Sequence, residues 1–370
     1  MTASKLSMKK KLLIFIPSIE DGGVEKNLYI LANFLYQKLN TLQIISTSYD
    51  KTNFFNKNIN FIGPKFNFLL KKGRYIKYII CLIYLIKQII INKRQVVIFS
   101  FQANIFAVLI SKIFFIKIIS RSNSSPSGWS QNIIKQKIFK FLLKKADTII
   151  VNSKSFKNEF KKKFGINTIF IYNPFNDFFI KKKAKKKVSF NFFTKKSLNI
   201  ISVGRLTDQK DHITLLRAFK FINKRLNPKL VIIGKGIEYN KLKIFIENNK
   251  INDSVKLFGY CPNPYPYIKL ANIFVLTSKF EGLPNVLIES QFLKKYIISS
   301  NCPTGPKEIL LNGKAGDLFP VGNFKKLAKL VNNFNKSKTL EKIQIGFKNL
   351  SRFNYKINCD KYLNVINKYL

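Results

Sequence analysis

Short apolar segments alternate with amphipathic segments along most of the chain. In the first half, the apolar and β-branched segments predict strands, and the amphipathic segment Val24–Lys38 predicts a helix. This alternation is typical of βαβ units, in which helices cover both faces of a parallel sheet. The strands predicted in this half are Lys11–Ile16, Leu42–Thr47, Val96–Ser100, Ile116–Ser120, Thr148–Val151 and Thr168–Ile171.

The alternation stops at Ile180–Lys196, where two runs of three lysines are typical of a solvated linker, and then begins again. The 370 residues suit two domains. The predicted fold class is therefore α/β, with two tandem doubly wound Rossmann-like domains facing across a cleft. We predict an N-terminal domain at residues 1–180, a linker at 181–196, a second domain at 197–350, and a helical tail at 351–370 that packs toward the first domain.

In the second domain the same pattern predicts five strands and four helices. Ligands of such sheets bind beyond the carboxyl ends of the strands, so the loops after strands are the places to look for chemistry. The predicted strands are Asn199–Val203, Leu230–Ile233, Val255–Phe258, Ile273–Thr277 and Tyr296–Ser300; the predicted helices are Asp211–Arg225, Ile237–Asn249, Pro284–Leu293 and Phe324–Asn335.

The formal net charge of +48 indicates either an anionic partner or a compositional bias, because AT-rich codons favour Lys, Asn, Ile and Phe together. Residues 1–190 carry 35 basic and 7 acidic residues and the remainder carries 31 and 11, so no single stripe indicates nucleic-acid binding. Contact with an anionic membrane is an expected by-product. The four scattered cysteines have no metal or redox spacing, which fits a reducing cytosol.

No segment has the apolar length of a signal sequence or a membrane span, because polar residues interrupt the candidates Tyr78–Ile86 and Val96–Ile119. We expect a cytoplasmic protein that is soluble or peripheral to a membrane, at the inner face of the cytoplasmic membrane.

The loop after Ile273–Thr277 holds the most specific candidate site. Glu281 and Glu289 bracket a turn whose proline suits the start of a helix, where free backbone amides attract a phosphate or sugar oxygen. Carboxylates beside such amides suit the neutral hydroxyls of a sugar or a ribose. Taken alone, Glu289 also fits a solvent-facing helix position, and Glu281 also fits a partner of the dipole at the helix N-terminus. The residues of the turn are Gly282, Leu283, Pro284 and Asn285.

The loop after Asn199–Val203 supplies candidate cations. Gly204 permits close approach of a ligand, and Arg205 and Lys210 are placed to neutralise a pyrophosphate. The chain contains no Asp-x-Asp pair, so the prediction is a site without a metal. In so basic a protein, two surface cations are the alternative.

Two further glycine-containing loops are weaker signals. Gly22 and Gly23 open a helix and are able to turn their amides toward a phosphate, although a plain strand-to-helix turn explains them equally. Gly234-Lys235-Gly236 lacks the third glycine of the dinucleotide fingerprint and predicts a tight turn near the donor base.

His212 is the only histidine, and its place at a helix start favours capping and packing over catalysis. Arg121, Ser122 and Asn123 follow a predicted strand of the first domain. They are candidates for holding an acceptor phosphate or hydroxyl, with loop capping as the alternative.

At these positions the sequence resembles the family 4 glycosyltransferases, which have the GT-B architecture of two Rossmann-like domains. The resemblance covers nearly the whole chain and is strongest over 199–320. It is carried by Asp21–Glu25, by Gly204-Arg205-Leu206 with Lys210, by Phe258-Gly259-Tyr260, by Glu281 to Glu289, and by Asn301–Ile309, which is similar to members that build cell-surface polysaccharides with N-acetylhexosamine-type sugars.

The resemblance implies a retaining transfer without a metal, in which the leaving phosphate helps to deprotonate the acceptor. It assigns the diphosphate to Arg205 and Lys210, the transferred sugar to Glu281 and the amides of Leu283–Asn285, and the ribose to Glu289. It further implies that Gly22 and Gly23 face the phosphates. Arg121, Asn123 and Glu25 are our candidates for serving the acceptor. Many relatives have a histidine where this chain has Arg121-Ser122-Asn123, so no histidine role is carried over.

The expected function is transfer of a hexose or N-acetylhexosamine from a UDP-sugar to a lipid-linked or growing surface glycan. The alternatives are a nucleotide-sugar epimerase of the same fold and a basic nucleic-acid-binding protein. The epimerase would need more acid and base groups than this chain offers, and the nucleic-acid binder would show steeply salt-dependent binding to DNA.

Overall fold

A computed structural model describes residues 10–19, 22–39, 41–64, 73–123 and 132–370. The chain forms two compact units. The first contains the residues up to Pro174 together with Tyr355–Leu370, and the second contains Phe175–Asn354. Each unit is built on its own parallel sheet, as the alternation of strands and helices predicts.

The sheet of the first unit has seven strands in the order β3-β2-β1-β4-β5-β6-β7, and all of its described pairs are parallel. Its central strands are continuous apolar segments because helices cover the sheet on both faces. The strands are β1 Lys11–Phe15, β2 Leu42–Ile45, β3 Asn60–Ile62, β4 Val96–Ser100, β5 Lys117–Ser122, β6 Thr148–Val151 and β7 Ile169–Phe170.

Two apolar cores flank this sheet. The first helix and the C-terminal helix pack on one face, and the second and third helices pack on the other. In the described parts of the chain, no helix is both long enough and apolar enough to cross a membrane. The helices of this unit are α1 Gly23–Leu39, α2 Arg74–Ile91, α3 Asn104–Ile113, α4 Ile133–Lys144, α5 Lys154–Glu159 and, last in chain order, α14 Tyr355–Asn367.

The sheet of the second unit has six parallel strands in the order β10-β9-β8-β11-β12-β13. The chain reverses its direction of winding between β8 and β11, which places the loops after these two strands beside each other. The strands are β8 Leu198–Val203, β9 Pro228–Ile233, β10 Val255–Gly259, β11 Ile273–Leu276, β12 Tyr296–Ser300 and β13 Asp317–Phe319.

Eight helices of the second unit accompany these strands in the described part of the chain. The predicted helices are present but shorter, and several short ones add to them. They are α6 Asp177–Ala184, α7 His212–Phe219, α8 Tyr239–Asn248, α9 Tyr265–Leu270, α10 Asn285–Phe292, α11 Pro306–Ile309, α12 Phe324–Asn332 and α13 Lys336–Lys348.

The lysine-rich segment 181–196, predicted as a linker, lies inside the second unit. Phenylalanines after the two lysine runs explain the difference. Phe193 is buried, and the Phe190 ring lies 5.9 Å from Phe258 and 5.2 Å from Tyr267, measured between centroids. These aromatic contacts hold the segment on the unit while its lysines remain in solvent.

Candidate active site

The loops after β8 and β11 are joined by a set of hydrogen bonds. The Thr277 hydroxyl donates to the Lys210 carbonyl at 2.9 Å, and the Lys279 amide donates to the Gln209 carbonyl at 2.8 Å. The Gln209 side chain donates in turn to the Phe280 carbonyl at 2.9 Å. Because β8 and β11 are neighbours in the sheet, the two loops that sequence reasoning singled out form one site.

Glu281 is at the centre of this site. The Lys210 ammonium forms an ion pair with its Oε1, and the Ser278 hydroxyl donates to the same oxygen at 2.6 Å. The side chains of Lys210 and Glu281 are only 14% and 8% exposed, so this charge-assisted contact is shielded from water. Both of these contacts are to Oε1 of Glu281.

Residues at the end of β12 and in the loop after it hold the backbone carbonyls of the segment that carries Glu281. The Thr304 hydroxyl donates to the Glu281 carbonyl, and the Ser300 hydroxyl donates to the Ser278 carbonyl at 2.6 Å. Gly305 has a φ of +85°, and a Cβ there would lie 2.1 Å from the Gly282 carbonyl oxygen. Only glycine permits this approach, so the loop fixes the backbone around Gly282.

Helix α10 begins at Asn285, one residue later than predicted, and Pro284 is its extended N-cap. Leu283 and Pro284 are buried, while Gly282 and Asn285 are partly exposed. Glu289 is 4% exposed, so the interpretation of this residue as an ordinary surface position is wrong. The helix therefore carries a buried carboxylate one turn past its start.

Arg205 is exposed beside Gly204, in the first of these loops. The loop after β8 packs closely on the loop after β9. A Cβ on Gly234 would lie 1.8 Å from the Gly204 carbonyl oxygen, so there is no room for a side chain between the two loops. The Leu206 amide donates to the Lys235 carbonyl at 2.9 Å. The Gly234 turn therefore sets the path of the loop that carries Arg205.

His212 is buried at the first position of α7. Burial, and secondarily the positive charge of Lys210, lowers the pKa of its imidazole to about 4. Asp211 precedes it with a left-handed backbone and accepts a hydrogen bond from the Thr214 hydroxyl at 2.7 Å. At neutral pH the imidazole is uncharged, which fits a packing role.

In the first unit, Gly22, Gly23 and Glu25 lie at the start of α1, and Gly23 is its first residue. Glu25 is buried with its Oε2 beside Gly22, and the Gln102 side chain donates to its Oε1 at 3.4 Å. Asp21, which begins the motif in the sequence, lies outside the described residues. The participation of this loop in phosphate or acceptor binding stays a prediction.

Arg121 lies within β5 and not in the loop after it, and it is fully buried. Its Nε donates to the Tyr362 hydroxyl at 3.0 Å, its Nη2 donates to Asn173 Oδ1 at 2.7 Å, and its Nη1 donates to Asn123 Oδ1. The guanidinium lies over the Phe101 ring at 5.2 Å. These contacts commit the guanidinium to holding α14 on the sheet, which corrects the predicted placement of Arg121 in a loop. The acceptor role of Arg121 and Asn123 stays a prediction.

Sequence reasoning missed three supporting residues: Ser278, Thr304 and Gly305. Ser278 follows a predicted strand and lies three residues before Glu281, a spacing that offered a signal. Thr304 and Gly305 lie more than twenty residues away in sequence, and only the pairing of β11 with β12 brings them to the site.

Within the part of the chain that the structure describes, no group of three or more His, Cys, Asp or Glu side chains is placed to hold a metal ion.

Two family models match the chain, one over most of the first unit and the other over most of the second. Glycosyltransferase Family 4 matches residues 21–177, and Glycosyl transferases group 1 matches residues 183–346. Together these matches identify the chain as a glycosyltransferase of the family 4 type. The Lys210–Glu281 site of this glycosyltransferase falls within the second match, and the Gly22–Glu25 loop within the first.

Curated relatives of this glycosyltransferase match it over part of their length. An uncharacterized glycosyltransferase of Methanocaldococcus jannaschii is 34% identical over 218 residues, which is 55% of this chain and 53% of the relative. The N-acetylgalactosamine-N,N'-diacetylbacillosaminyl-diphospho-undecaprenol 4-alpha-N-acetylgalactosaminyltransferase of Campylobacter jejuni is 31% identical over 195 residues, 52% of each chain. The glycosyltransferase thus spans about half the length of these relatives.

Solved structures share the fold over nearly the full chain. Alr3699/HepE of Anabaena, crystallised with UDP, gives a TM-score of 0.77 at 16% identity and covers 97% of this chain and 100% of its own. The sucrose-phosphate synthase of Thermosynechococcus elongatus gives 0.81 at 14% identity and covers 97% and 98%. Together with the two parallel sheets, these similarities confirm the predicted pair of Rossmann-like domains.

Proposed function

We propose that this glycosyltransferase moves a hexose or N-acetylhexosamine from a UDP-sugar to a lipid-linked or growing surface glycan, with retention of anomeric configuration. Three similarities support the proposal. The Campylobacter relative is named for transfer to a diphospho-undecaprenol-linked acceptor, and an Erwinia amylovora relative is named for amylovoran biosynthesis. Structures of Alr3699/HepE hold UDP and UDP-glucose.

The observation that carries the proposal is the Lys210–Glu281 pair at the carboxyl ends of β8 and β11. In the proposed reaction, the bond from the anomeric carbon to the phosphate oxygen breaks and a bond to the acceptor oxygen forms. The acceptor's proton passes to the departing phosphate. The oxygen of Glu281 that Lys210 does not hold accepts from a sugar hydroxyl, which positions the anomeric carbon.

Charge on the departing UDP is neutralised in this proposal by Arg205 and Lys210, without a metal. Arg205 is exposed at the loop surface, and Lys210 is held close by through Glu281. Fixed cations of this kind stabilise negative charge that develops in the transition state. Glu289, buried in α10, is assigned to the ribose hydroxyls, and the turn Gly282–Asn285 to the sugar.

A lipid-linked acceptor would bring the reaction to a membrane surface. We propose the cytoplasmic face, and the formal net charge of +48 favours an anionic lipid surface there. This part of the proposal is independent of which sugar is transferred.

Variants of the two buried glutamates test the site. We expect Glu281→Gln to lower transfer from a UDP-sugar by about 100-fold or more while UDP still raises the unfolding temperature, since the lost carboxylate contacts the sugar. We expect Glu289→Gln to weaken UDP binding by about tenfold, the loss of about 1.4 kcal/mol of hydrogen bonding to a charged group. The matched control is Glu341→Gln, an exposed glutamate of α13.

Full transfer activity in Glu281→Gln, or unchanged UDP affinity in Glu289→Gln, would refute these assignments. The donor is found by measuring unfolding temperatures with UDP-, GDP- and ADP-sugars. Release of an epimerised sugar in the absence of any acceptor would instead support the epimerase alternative, which family membership disfavours.

A further inference from the structure

Three neighbouring helices of the first unit leave apolar side chains on their outer surfaces. Helices α2 and α3 contribute to the same core on one face of the sheet, and α3 contacts both α2 and α4. The rings of Tyr78 on α2 and Phe106 on α3 lie 6.2 Å apart between centroids. We call the solvent-facing side of α2, α3 and α4 the outer face.

Helix α2 is apolar on both of its sides. Its buried side packs on the sheet through Cys81, Leu85 and Ile89. On the opposite side, apolar residues recur every three or four positions along most of the helix and so form one exposed stripe. A helix that is apolar all round is normally buried on every side. The exposed stripe consists of Tyr75, Ile79, Ile83 and Ile90, which are 66%, 59%, 60% and 61% exposed.

Helices α3 and α4 continue the outer face with stripes of the same spacing. Their exposed apolar residues also recur every three or four positions, while the opposite sides pack inward. The residues are Phe106, Leu109 and Ile113 on α3, and Ile134, Ile138 and Phe141 on α4, all between 42% and 69% exposed. Contiguous exposed apolar surface of this kind marks an interaction site.

The charged side chains of α2, α3 and α4 are all basic. From Lys51 to Ala146 the sequence contains no Asp or Glu at all. Exposed lysines accompany the apolar stripes, among them Lys87 on α2, Lys137 and Lys144 on α4, and Lys145 directly after α4. The Lys145 ammonium lies 4.8 Å from the centre of the Phe141 ring, so cationic and apolar groups are interleaved.

We propose that the outer face docks on an anionic lipid bilayer. Apolar side chains insert at the boundary between headgroups and acyl chains, and the lysines contact the lipid phosphates. A partner with this chemistry must offer a broad apolar layer under a continuous negative surface, which a bilayer does. The inference rests on the proposed membrane location but does not depend on the donor or on the transfer chemistry.

Binding of the full chain to vesicles tests the docking. The vesicles contain phosphatidylglycerol and phosphatidylcholine in equal parts, and a second set contains phosphatidylcholine alone. The variant Ile83→Gln/Leu109→Gln/Phe141→Gln removes one apolar side chain from each helix, and we expect it to lower the partition coefficient about tenfold or more. The matched control is Phe221→Gln/Ile244→Gln/Leu340→Gln, three residues of the second unit that are 56%, 55% and 51% exposed; it keeps wild-type binding.

A second pair of variants tests the charges. Lys137→Gln/Lys144→Gln/Lys145→Gln is expected to weaken binding to the anionic vesicles by about tenfold or more and to reduce its salt dependence. Lys185→Gln/Lys186→Gln/Lys187→Gln makes the same change of net charge at exposed positions of the second unit. Equal losses in both triple variants would show that net charge alone drives binding, which would overturn the outer face as the docking surface.

Two further outcomes would also overturn the proposal. The first is absence of wild-type binding to the anionic vesicles. The second is a concentration-dependent dimer, seen by sedimentation, that the apolar triple variant abolishes, because a second copy would then occupy the outer face. Stabilisation by UDP is measured on every variant; its absence in all of them would count against the proposed function and leave the vesicle result standing.

Discussion

His212 ties the stability of the second unit to pH. Its folded pKa is lowered to about 4, against 6.5 in an exposed histidine. Between these values the unfolded chain takes up a proton that the folded chain does not, so stability falls as pH drops from 6.5 to 4, by up to about 1.4 kcal/mol per unit. We expect the unfolding temperature of His212→Gln to fall less between pH 7 and pH 4.5 than that of the wild type. Parallel losses in the two proteins would contradict the lowered pKa.

At the same scale, the sequence predicted which loops lie together at the edge of the sheet but not the side-chain contacts within them. Glu281 and Lys210 were each identified from a loop after a strand, with Lys210 assigned to a pyrophosphate. The structure adds that the lysine is bonded to Glu281 itself. Nothing in the sequence fixes that contact, because it depends on the pairing of β8 with β11 and on side-chain directions in two separate loops. The burial of Arg121 was missed for the same reason, since it depends on α14, about 240 residues later.

Helix α14 is held to the sheet of the first unit through the buried Arg121–Tyr362 contact. We expect Tyr362→Phe to lower the free energy of unfolding by about 1.5–3 kcal/mol, because the buried guanidinium loses a hydrogen-bond partner that cannot be replaced by water. Tyr369→Phe is the control. Its hydroxyl bonds the neutral Thr148 hydroxyl at 2.6 Å, so a smaller loss of about 0.5–1.5 kcal/mol is expected. Thermal unfolding of the full chain and hydrogen exchange along α14 measure both losses of stability. Equal losses in the two variants would show that the hydrogen bond to the guanidinium contributes no more than the bond between the Tyr369 and Thr148 hydroxyls.

Elements with long apolar segments were predicted well, whereas the short strands β3 and β13 were not predicted. Predicted and observed bounds agree for β4, β6 and β12, where four or five consecutive residues are buried or β-branched. The edge strands β3 and β13 have three residues each and are partly exposed, so no run of apolar residues indicated them. The segment 181–196 was predicted as a linker from its lysines, although its phenylalanines decide where it lies.

Over the whole molecule, two sheets with parallel strands could be predicted because the alternation of strand and helix patterns persists through both units. The exposed apolar residues of α2 to α4 could not be predicted as a surface. In the sequence they are indistinguishable from core residues, since an apolar position on a helix does not reveal which side meets the sheet. Side-chain exposure in the folded unit was needed to separate the two sides of α2.

The net charge of +48 affects the stability of the folded chain as a whole. Both units are basic, so like charges repel throughout the folded chain, and unfolding moves them apart. Salt shortens the range of this repulsion, from a Debye length of about 30 Å at 0.01 M to about 10 Å at 0.1 M. Salt also weakens exposed ion pairs such as Lys241–Glu238, but exposed pairs of this kind contribute little to stability. We therefore expect the unfolding temperature to rise between 0.01 and 0.3 M sodium chloride, by roughly 2–4 °C for each kcal/mol of repulsion that is screened.

Sucrose at matched osmolality is the control, because it changes solvation without screening charge. If repulsion is responsible, sodium chloride and potassium chloride raise the unfolding temperature equally, and the rise levels off once the Debye length is shorter than the spacing between neighbouring lysines. A fall in unfolding temperature with added salt would mean that ion pairs such as Lys210–Glu281 and Lys112–Asp147 outweigh the repulsion among the excess lysines. That result would make the attraction between a few buried or half-buried charges, and not the net charge, the dominant electrostatic contribution to folding.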